Sequence, residues 1–339
     1  MTKIFMTGGA GFIGSAFVRQ VLEREPDILI VNYDALTYAG NLENLAGIGS
    51  ERHTFIKGDI CDREAVLAAM PEGCDAVFNF AAESHVDRSI HSADEFLRTN
   101  IIGTQVLLDA AREKGVRRFV QISTDEVMGS LPDESDDFFT ESSPLQPNSP
   151  YAASKAAAEF VVRAAQETHG VDAVITRCGN NYGPRQFPEK LIPLMLANAM
   201  NDLPLPVYGD GKNVRDWIFV DDHCDAIWLA YKKGRSGEAY NIGARNEQYN
   251  IDVVKAILDA VDKPHELITY VTDRLGHDRR YAIDPTKAET ELGWKPATTW
   301  ADGLAATIDW YRENRTWVEN IRSGEYREYY RTMYGASIG

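Results

Sequence analysis

The chain has 339 residues, of which 44% are hydrophobic and 25% charged, so it can bury a large core and form two domains. Its formal net charge of −16 argues against a nucleic acid as partner, because phosphate backbones bind to basic surfaces. The N-terminus shows no signal peptide and no apolar run has the length of a membrane span, so we expect a cytoplasmic protein with no membrane partner.

Short β-type runs alternate with amphipathic patterns through the first half of the chain. The predicted elements, in chain order, are strand Lys3–Thr7, helix Gly14–Arg24, strand Ile28–Asp34, strand Thr54–Gly58, helix Arg63–Met70, strand Ala76–Ala81, helix Ala93–Lys114, strand Arg118–Ser123, helix Pro150–Thr168 and strand Ala173–Arg177. Strands that alternate with helices predict an α/β fold with a doubly wound, parallel sheet of the Rossmann type.

The rhythm changes after about residue 177, where prolines interrupt the pattern. We therefore predict a cofactor-binding domain over residues 1–177. A smaller, mixed α/β domain is predicted over 178–213 and 248–339, lying over the sheet. Apolar runs within 214–247 indicate that this segment returns to the first domain.

Three glycines in a GxxGxxG pattern follow the first predicted strand and open the first helix: Gly8, Gly11 and Gly14. Glycine lets backbone N–H groups approach a pyrophosphate at a helix N-terminus, where the helix dipole favours negative charge. Asp34 ends the second predicted strand, where a carboxylate binds both adenosine ribose hydroxyls and repels a 2′-phosphate. The sequence therefore predicts NAD rather than NADP as the cofactor.

Further cofactor contacts are expected from residues near these positions and at the adenine edge: Phe12, Ile13, Asp59, Ile60 and Ala81. An ordinary turn at the glycines and a loop cap at Asp34 are the alternatives. The cysteines include no CxxC pair and the histidines do not cluster at metal-ligand spacing, so we predict reduced core thiols and no metal.

Tyr151 and Lys155 form a YxxxK pattern at the start of a predicted helix, with Ser149 as N-cap and Pro150 in the first turn. Positions i and i+4 share one helix face, so the two side chains project together. A nearby ammonium should lower the pKa of the phenol, which would make Tyr151 a base near neutral pH. Two ordinary helix-surface residues are the alternative.

Thr124, Asp125 and Glu126 follow a strand at the carboxyl edge of the predicted sheet, where ligands bind in open α/β folds. Thr124 could orient a substrate hydroxyl. Repulsion between adjacent carboxylates tends to raise one pKa, leaving one group as an acid and the other as a base. An elimination needs both, because a carbon-bound proton is removed and a departing hydroxyl is protonated. A helix-capping acidic turn is the alternative.

On these residues the chain resembles the extended short-chain dehydrogenase/reductase superfamily and, more narrowly, the dTDP-glucose 4,6-dehydratases. The likeness runs nearly from end to end and includes the motifs Leu36–Leu42, Ala81–Arg88, Asn180–Pro184, Phe187–Leu191, Arg215–Trp217, Tyr240–Gly243, Gly276–Tyr281 and Glu291–Pro296. The triplet Thr124-Asp125-Glu126 distinguishes dehydratases from epimerases, so it carries the most weight.

The resemblance implies an NAD-dependent lyase cycle on a nucleotide sugar. Tyr151 would take the proton of the 4-hydroxyl while C4 passes hydride to NAD⁺. Thr124 would orient that oxygen and Lys155 would hold the nicotinamide ribose. Glu126 would then remove H5 while Asp125 protonates the leaving 6-hydroxyl. Hydride would return to C6, giving a 4-keto-6-deoxy sugar nucleotide.

The resemblance also implies the residues that bind the substrate. Arg215 and Arg274 would bind the diphosphate by charge-assisted hydrogen bonds. Pro206 and Tyr208 would pack on the pyrimidine. The implied contacts are Ser84, His85, Thr124, Asn181, Glu189, Lys190, Pro206, Tyr208, Arg215, Asn250, Arg274, His277 and Tyr281.

In the family, helices at about 93–114 and 150–168 pair across a two-fold axis, which implies a homodimer, although core packing explains the same apolar faces. Two positions depart from the family pattern. Met128 stands where these enzymes usually carry tyrosine, and it could alter the sugar pocket or simply repack. Leu275 replaces the usual proline in a loop expected beside the diphosphate.

Three rival functions are compatible with parts of the sequence. A nucleotide-sugar 4-epimerase would need Tyr151 and Lys155 but not the paired carboxylates. A 4,6-dehydratase could act on another sugar nucleotide, such as UDP-glucose. A non-catalytic NAD-binding regulator is the third alternative, and the intact tyrosine–lysine pair argues against it.

Overall fold

The structure, a computed structural model, describes residues 1–132 and 135–321. Its strands are β1 (Thr2–Thr7), β2 (Ile28–Asp34), β3 (His53–Lys57), β4 (Ala76–Asn79), β5 (Arg118–Thr124), β6 (Ala173–Cys178), β7 (Asn180–Tyr182), β8 (Leu205–Tyr208), β9 (Val214–Phe219), β10 (Ala239–Ile242), β11 (Glu247–Tyr249) and β12 (Ile268–Val271). Its helices are α1 (Phe12–Arg24), α2 (Arg63–Ala69), α3 (Val86–His91), α4 (Asp94–Phe96), α5 (Thr104–Glu113), α6 (Pro150–His169), α7 (Leu191–Ala199), α8 (Val220–Lys233), α9 (Asn250–Ala260), α10 (Trp300–Glu313) and α11 (Arg315–Ile321).

The central sheet has seven strands in the order β3-β2-β1-β4-β5-β6-β10, and every pairing in it is parallel. The chain winds outward from β1 in both directions, so the predicted doubly wound fold is confirmed. Alternate side chains of β1 serve opposite faces. Ile4 and Met6 pack in the core that includes residues of α1 and α8, and Phe5 packs in the core that includes residues of α2, α5 and α6. Helices on both faces explain why these strands are apolar throughout.

The later part of the chain forms two smaller sheets, β7-β9-β11 and β8-β12. Side chains from β7, β8 and β9 pack with those of α7, α9, α10 and α11 around a separate apolar core. We predicted that the segment 214–247 returns to the first domain. Within it, β10 joins the central sheet and α8 packs against one face of that sheet, whereas β9 pairs with β7 and β11. The division into two domains stays a prediction, and its residues 322–339 lie outside the described residues.

The helix predicted over Ala93–Lys114 begins at Asp94 and contains a π-helical stretch, Leu97–Gly103. Such stretches are common at functional sites. Here the stretch carries Asn100, whose Nδ2 donates hydrogen bonds to the carbonyl of Glu83 at 3.0 Å and to Oγ of Ser154 at 2.8 Å. No helix in the described part of the chain is both long and apolar enough to cross a membrane.

A buried ion pair fixes α6 against the ends of two central strands. The guanidinium of Arg177 in β6 donates to both carboxylate oxygens of Glu159 in α6, at 2.7–3.1 Å. The hydroxyl of Ser123 in β5 donates to the same carboxylate at 2.5 Å. The pair therefore fixes the position of α6 relative to the end of β5. Because α6 carries Tyr151 and Lys155, the pair also positions these two side chains.

Replacing Arg177 by methionine should lower the free energy of unfolding by about 3–5 kcal/mol, because the buried Glu159 carboxylate loses its charge partner. Urea unfolding followed by circular dichroism measures the change. The matched control is Arg235→Met, which removes a guanidinium from the exposed carboxylate of Glu291 and should change stability little. Equal effects of the two substitutions would contradict the proposed role of the buried pair.

Candidate active site

The turn between β1 and α1 contains two glycines that a side chain could not replace without a clash, Gly8 and Gly14, and a third, Gly11, where a Cβ would make one tight contact. Gly8 adopts a φ of +72°, and a Cβ on Gly14 would collide with the carbonyl oxygen of Gly8. A Cβ on Gly11 would meet nothing closer than that oxygen, at 3.3 Å. Within the described residues no side chain caps the N-terminus of α1. These features fit a backbone cradle for the pyrophosphate of NAD.

Asp34, at the end of β2, holds this turn in place. Its Oδ2 accepts a hydrogen bond from the N–H of Ala10 and its Oδ1 from that of Leu36, both at 2.8 Å. Burial raises the pKa of Asp34, and the two backbone bonds oppose that shift. A carboxylate has about four acceptor sites, so two remain for the ribose hydroxyls of the cofactor.

A cavity of about 380 Å³ extends along the glycine turn, Asp34 and the ends of β5 and β6. It is lined by all the cofactor contacts predicted from the sequence: Gly8, Gly11, Phe12, Ile13, Gly14, Asp34, Asp59, Ile60, Ala81, Tyr151 and Lys155. Thr124, Asp125 and Glu126 line it as well. The lining also includes residues that the sequence analysis did not assign to a site, among them Thr37, Glu83 and Cys178.

The end of β5 turns directly into a short 3-10 turn, Asp125–Met128, which directs the two carboxyl groups into the cavity. Oγ1 of Thr124 accepts a hydrogen bond from the N–H of Glu126 and donates one to Oδ1 of Asp125, both at 3.3 Å. Asp125 is 1% exposed, and its Oδ2 has no hydrogen-bond partner within residues 1–132 and 135–321. The hydroxyl of Thr124 therefore orients the start of the turn.

The two carboxyl groups differ in their electrostatic surroundings. Burial, and next the charge of Glu126, raise the pKa of Asp125 well above its usual value. Burial also raises the pKa of Glu126, but the charges of Arg274, Lys190 and Arg215 oppose that shift. Asp125 is thus the better proton donor of the pair and Glu126 the better acceptor.

Tyr151 and Lys155 share one face of α6, and both side chains are at least nine-tenths buried. The predicted lowering of the Tyr151 pKa by Lys155 is wrong. Burial and then the charge of Glu126 raise that pKa well above its usual value. Nζ of Lys155 donates to the carbonyl of Ile122 at 2.7 Å, and burial lowers the Lys155 pKa to about 8. Desolvation and the neighbouring carboxyl groups therefore set the direction of the Tyr151 pKa shift.

The predicted substrate contacts form two groups. Ser84, Thr124, Asn181, Glu189 and Lys190 line the cavity. The remainder lie outside its lining: His85, Pro206, Tyr208, Arg215, Asn250, Arg274, His277 and Tyr281. His85 is nevertheless close, because its Nε2 lies 3.7 Å from Oε2 of Glu189. Pro206 lies buried in β8, and Asn250 begins α9 with its buried Oδ1 lacking a hydrogen-bond partner among the described residues.

The two arginines are held by other residues. Arg215 lies 4.2 Å from the ring centre of Tyr281 and donates to the carbonyl of Asp278 at 2.8 Å. Arg274 contacts Oδ1 of Asp87 at 3.3 Å. The hydroxyl of Tyr208 donates to the other oxygen of Asp87 at 3.2 Å. His277 packs edge-on against Tyr208, with ring centres 6.1 Å apart.

Asp87 was not predicted from the sequence as a site residue, yet it contacts two of the predicted substrate contacts, Arg274 and Tyr208. It lies in the motif Ala81–Arg88, so the resemblance marked the segment, but nothing in the sequence relates it to Arg274 or Tyr208. The three side chains meet only because α3, β8 and the loop after β12 come together in the fold.

The two departures from the family pattern have different settings. Met128 is 1% exposed, does not line the cavity and packs with Val127, Phe139, Ala156 and Ile283. This position favours repacking over a changed sugar pocket. Leu275 is 79% exposed in the loop that carries Arg274.

Comparisons with known proteins agree with this geometry. The sequence model of the family described as GDP-mannose 4,6 dehydratase matches residues 5–307. The dTDP-glucose 4,6-dehydratase of Xanthomonas campestris pv. campestris (strain B100) is 52% identical over 96% of this chain and 98% of its own. The crystal structure of DesIV, a dTDP-glucose 4,6-dehydratase from Streptomyces venezuelae, with NAD bound covers 94% of this chain and 100% of its own, at 50% identity and a TM-score of 0.92.

A UDP-glucose 4-epimerase of Thermus thermophilus, solved with NAD, is also similar, at 30% identity and a TM-score of 0.85 over 92% of this chain and 100% of its own. The fold and its glycine turn therefore define the class, an NAD-dependent enzyme of the extended short-chain dehydrogenase/reductase superfamily. Within that class the chain belongs to the GDP-mannose 4,6-dehydratase family and, by its relatives at about 50% identity, to the dTDP-glucose 4,6-dehydratases, which are hydro-lyases. The resemblance inferred from the motifs is confirmed.

The raised pKa of Asp125 gives a signed prediction for stability. The folded protein binds this proton more tightly than the unfolded chain, whose pKa is near the ordinary value of 3.8. The contribution of Asp125 to stability is therefore fully present below that value and is lost as the pH rises through the folded-state pKa. Asp125→Asn should unfold at higher urea concentration than the unsubstituted protein near neutral pH, with the difference vanishing near about pH 4.

Asp210→Asn serves as the control of opposite sign. A hydrogen bond from Arg279 lowers the pKa of this exposed carboxyl to about 2. Its stabilising contribution is present above the unfolded pKa and is lost as the pH falls, so Asp210→Asn should be the less stable protein at neutral pH. If Asp125→Asn were instead less stable than the unsubstituted protein at neutral pH, burial would not raise the pKa of Asp125, and the prediction would be wrong.

Proposed function

We propose that this protein dehydrates dTDP-glucose to dTDP-4-keto-6-deoxyglucose, with NAD reduced and reoxidised within one catalytic cycle. The observation that carries the proposal is the carboxyl pair at the end of β5. Asp125 and Glu126 share the cavity with Tyr151 and Lys155, and their surroundings favour one acid and one base. Oxidation alone needs only the tyrosine–lysine pair, whereas loss of water needs the carboxyl groups.

The first part of the mechanism oxidises the sugar at C4, which loses a hydride from the carbon and a proton from its hydroxyl group. NAD⁺, when bound, accepts hydride and adds the positive charge of its nicotinamide. Tyr151 takes the proton of the 4-hydroxyl, and Thr124 orients the oxygen by a hydrogen bond. Lys155 is held beside the strand end by the carbonyl of Ile122 and can bind the nicotinamide ribose. Because burial raises the pKa of Tyr151, proton transfer depends on the positive charges brought to this site.

The second part is the elimination. The 4-ketone makes H5 acidic, and Glu126 removes it. Asp125, which burial keeps protonated, gives its proton to the departing 6-hydroxyl, so water leaves and a C5–C6 double bond forms. The bound cofactor would supply the hydride that C6 receives, and a proton added to C5 would complete the 4-keto-6-deoxy sugar.

Recognition of the nucleotide sugar would use the residues that the structure gathers beyond the carboxyl pair. Lys190 donates to the carbonyl of Ser84 at 2.7 Å and lines the cavity. The charges of Arg215 and Arg274 oppose the pKa rise of Glu126, which supports our proposal that both arginines face the substrate. Both are suited to a diphosphate through charge-assisted hydrogen bonds. Pro206 and Tyr208 remain our proposed contacts of the pyrimidine.

A 4-epimerase is the closest rival, because its fold is similar and it needs the same tyrosine and lysine. Against it stands the acid–base pair Asp125 and Glu126, which epimerisation does not use. A 4,6-dehydratase that acts on another sugar nucleotide would differ only in the residues that contact the nucleotide base and the sugar. A non-catalytic regulator would have no use for two desolvated carboxyl groups beside Tyr151.

The double variant Asp125→Asn with Glu126→Gln should still bind NAD but should lose dehydration by roughly 10²-fold or more, the contribution of general acid–base catalysis. Mass spectrometry after incubation with dTDP-glucose checks this, since the unsubstituted protein forms a product lighter by one water. Parallel reactions with UDP-, CDP- and GDP-glucose test which nucleotide base the protein accepts. A product of unchanged mass from the unsubstituted protein would support the epimerase, and substantial dehydration by the double variant would refute the mechanism.

We also propose a homodimer and a cytoplasmic location. Three large apolar side chains are exposed on α6 and on the π-helical stretch beside it: Leu97 (45%), Ile102 (56%) and Phe160 (58%). Exposed apolar patches of this kind commonly mark protein–protein contacts. The location rests on the sequence alone, and cell fractionation tests it.

Phe160→Glu should shift the protein from dimer to monomer, because a charge would be desolvated at the proposed interface. Light scattering coupled to size exclusion measures the mass. Tyr270→Glu, at an equally exposed aromatic on β12, is the matched control and should leave the mass unchanged. A monomeric unsubstituted protein at micromolar concentration would rule out the dimer.

A further inference from the structure

The loop that follows β2 forms one wall of the cofactor cavity. Ala35, Thr37, Ala39 and Gly40 line the cavity, and the loop then enters a short 3-10 turn, Leu42–Leu45. We propose that Asn44 in this turn and Trp317 in α11 lock the loop against the glycine turn and so retain NAD on the protein between turnovers.

Asn44 connects the loop to the glycine turn itself. It is 2% exposed, and its Nδ2 donates a hydrogen bond to the carbonyl of Ala10 at 2.9 Å. The backbone N–H of Asn41 donates to the same carbonyl at 3.0 Å. On the other side, the N–H of Ala10 donates to Asp34 at 2.8 Å. Ala10, between the pyrophosphate-binding glycines, is therefore held by the loop and by the proposed ribose ligand together.

Trp317 fixes the orientation of Asn44. Its indole Nε1 donates to Oδ1 of Asn44 at 3.0 Å, across 273 positions of sequence. When Oδ1 of Asn44 accepts the hydrogen bond of the Trp317 indole, Nδ2 of the same amide points to the carbonyl of Ala10. The bond to Trp317 therefore favours the bond to Ala10. Trp317 is 6% exposed and packs edge-on against Trp310, with ring centres 4.9 Å apart. Both partners are buried, so water cannot easily replace either bond.

A third contact holds the loop from α1. The guanidinium of Arg19 donates to the carbonyl of Asn44 at 2.7 Å and to that of Ala46 at 2.7 Å. The wall is thus tied to the glycine turn, to the helix that follows it, and to α11 from the later part of the chain. Release of the dinucleotide past this wall requires that these bonds open.

Retention suits a reaction that regenerates its cofactor, because NAD need not leave between cycles. The inference rests on the NAD dependence within the proposed function and not on the sugar that is dehydrated. The measurement therefore uses no sugar nucleotide. Protein loaded with NADH is mixed with excess NAD⁺, and the loss of bound NADH fluorescence gives the release rate.

Trp317→Phe keeps the apolar ring but removes the indole donor, and it should speed NADH release about fivefold, the factor that corresponds to one net hydrogen bond. Asn44→Asp keeps the acceptor for Trp317 but sets a carboxylate oxygen against the Ala10 carbonyl, so release should be at least as fast. Trp228→Phe is the matched control. Its Nε1 donates to Glu25 at 2.9 Å, away from this loop, and release should keep the rate of the unsubstituted protein.

Unchanged release in both Asn44→Asp and Trp317→Phe would overturn the proposal, as would equal acceleration in Trp228→Phe. Circular dichroism checks that each variant folds. If Trp317→Phe does not fold, the release rate of Asn44→Asp alone decides whether the proposal holds. A protein that dehydrates no sugar nucleotide would contradict the proposed function and leave these release rates unaffected.

Discussion

The burial of two adjacent carboxyl groups is the constraint on which the rest of this protein depends. Asp125 and Glu126 would repel each other as carboxylates, and desolvation raises the pKa of both. Neighbouring charges do not oppose the two pKa shifts equally. Cations from three separate segments of the chain oppose the pKa rise of Glu126. Asp125 instead lies near two other carboxyl groups, Glu126 and Asp216, with Arg215 as its opposing charge. Two adjacent residues thereby differ in proton affinity, as the proposed acid and base must, and the raised pKa of Asp125 lowers stability near neutral pH.

This asymmetry requires elements that are far apart in sequence. Lys190 precedes α7, Arg215 lies in β9, and Arg274 lies in the loop after β12. Asp87, from α3 beside the central sheet, holds Arg274 by an ion pair. The later part of the chain therefore supplies cations that oppose the pKa rise of Glu126 at the end of β5. In the proposed function, the same two arginines would also bind the diphosphate.

Much of the framework could be predicted from the sequence, because local patterns determine it. Alternating strands and helices predicted the parallel sheet, and the positions of Gly8, Gly14 and Asp34 predicted the cofactor turn. The Tyr151 pKa could not be predicted, since its sign depends on burial and on Glu126, neither of which the YxxxK spacing reveals. Likewise β9 lies within a segment expected to return to the first domain, yet it pairs with β7 and β11, because tertiary packing determines which strands pair.

The sequence by itself determined which chemical groups are available: a glycine turn, a carboxylate at the end of β2, a tyrosine–lysine pair and two adjacent acids at one strand end. These follow from spacing along single elements, where neighbours in sequence are neighbours in space. Only the tertiary structure decided how each group behaves. Proton affinity depends on desolvation and on charges from distant segments, and the contact of Trp317 with Asn44 exists only because α11 packs against the cofactor loop.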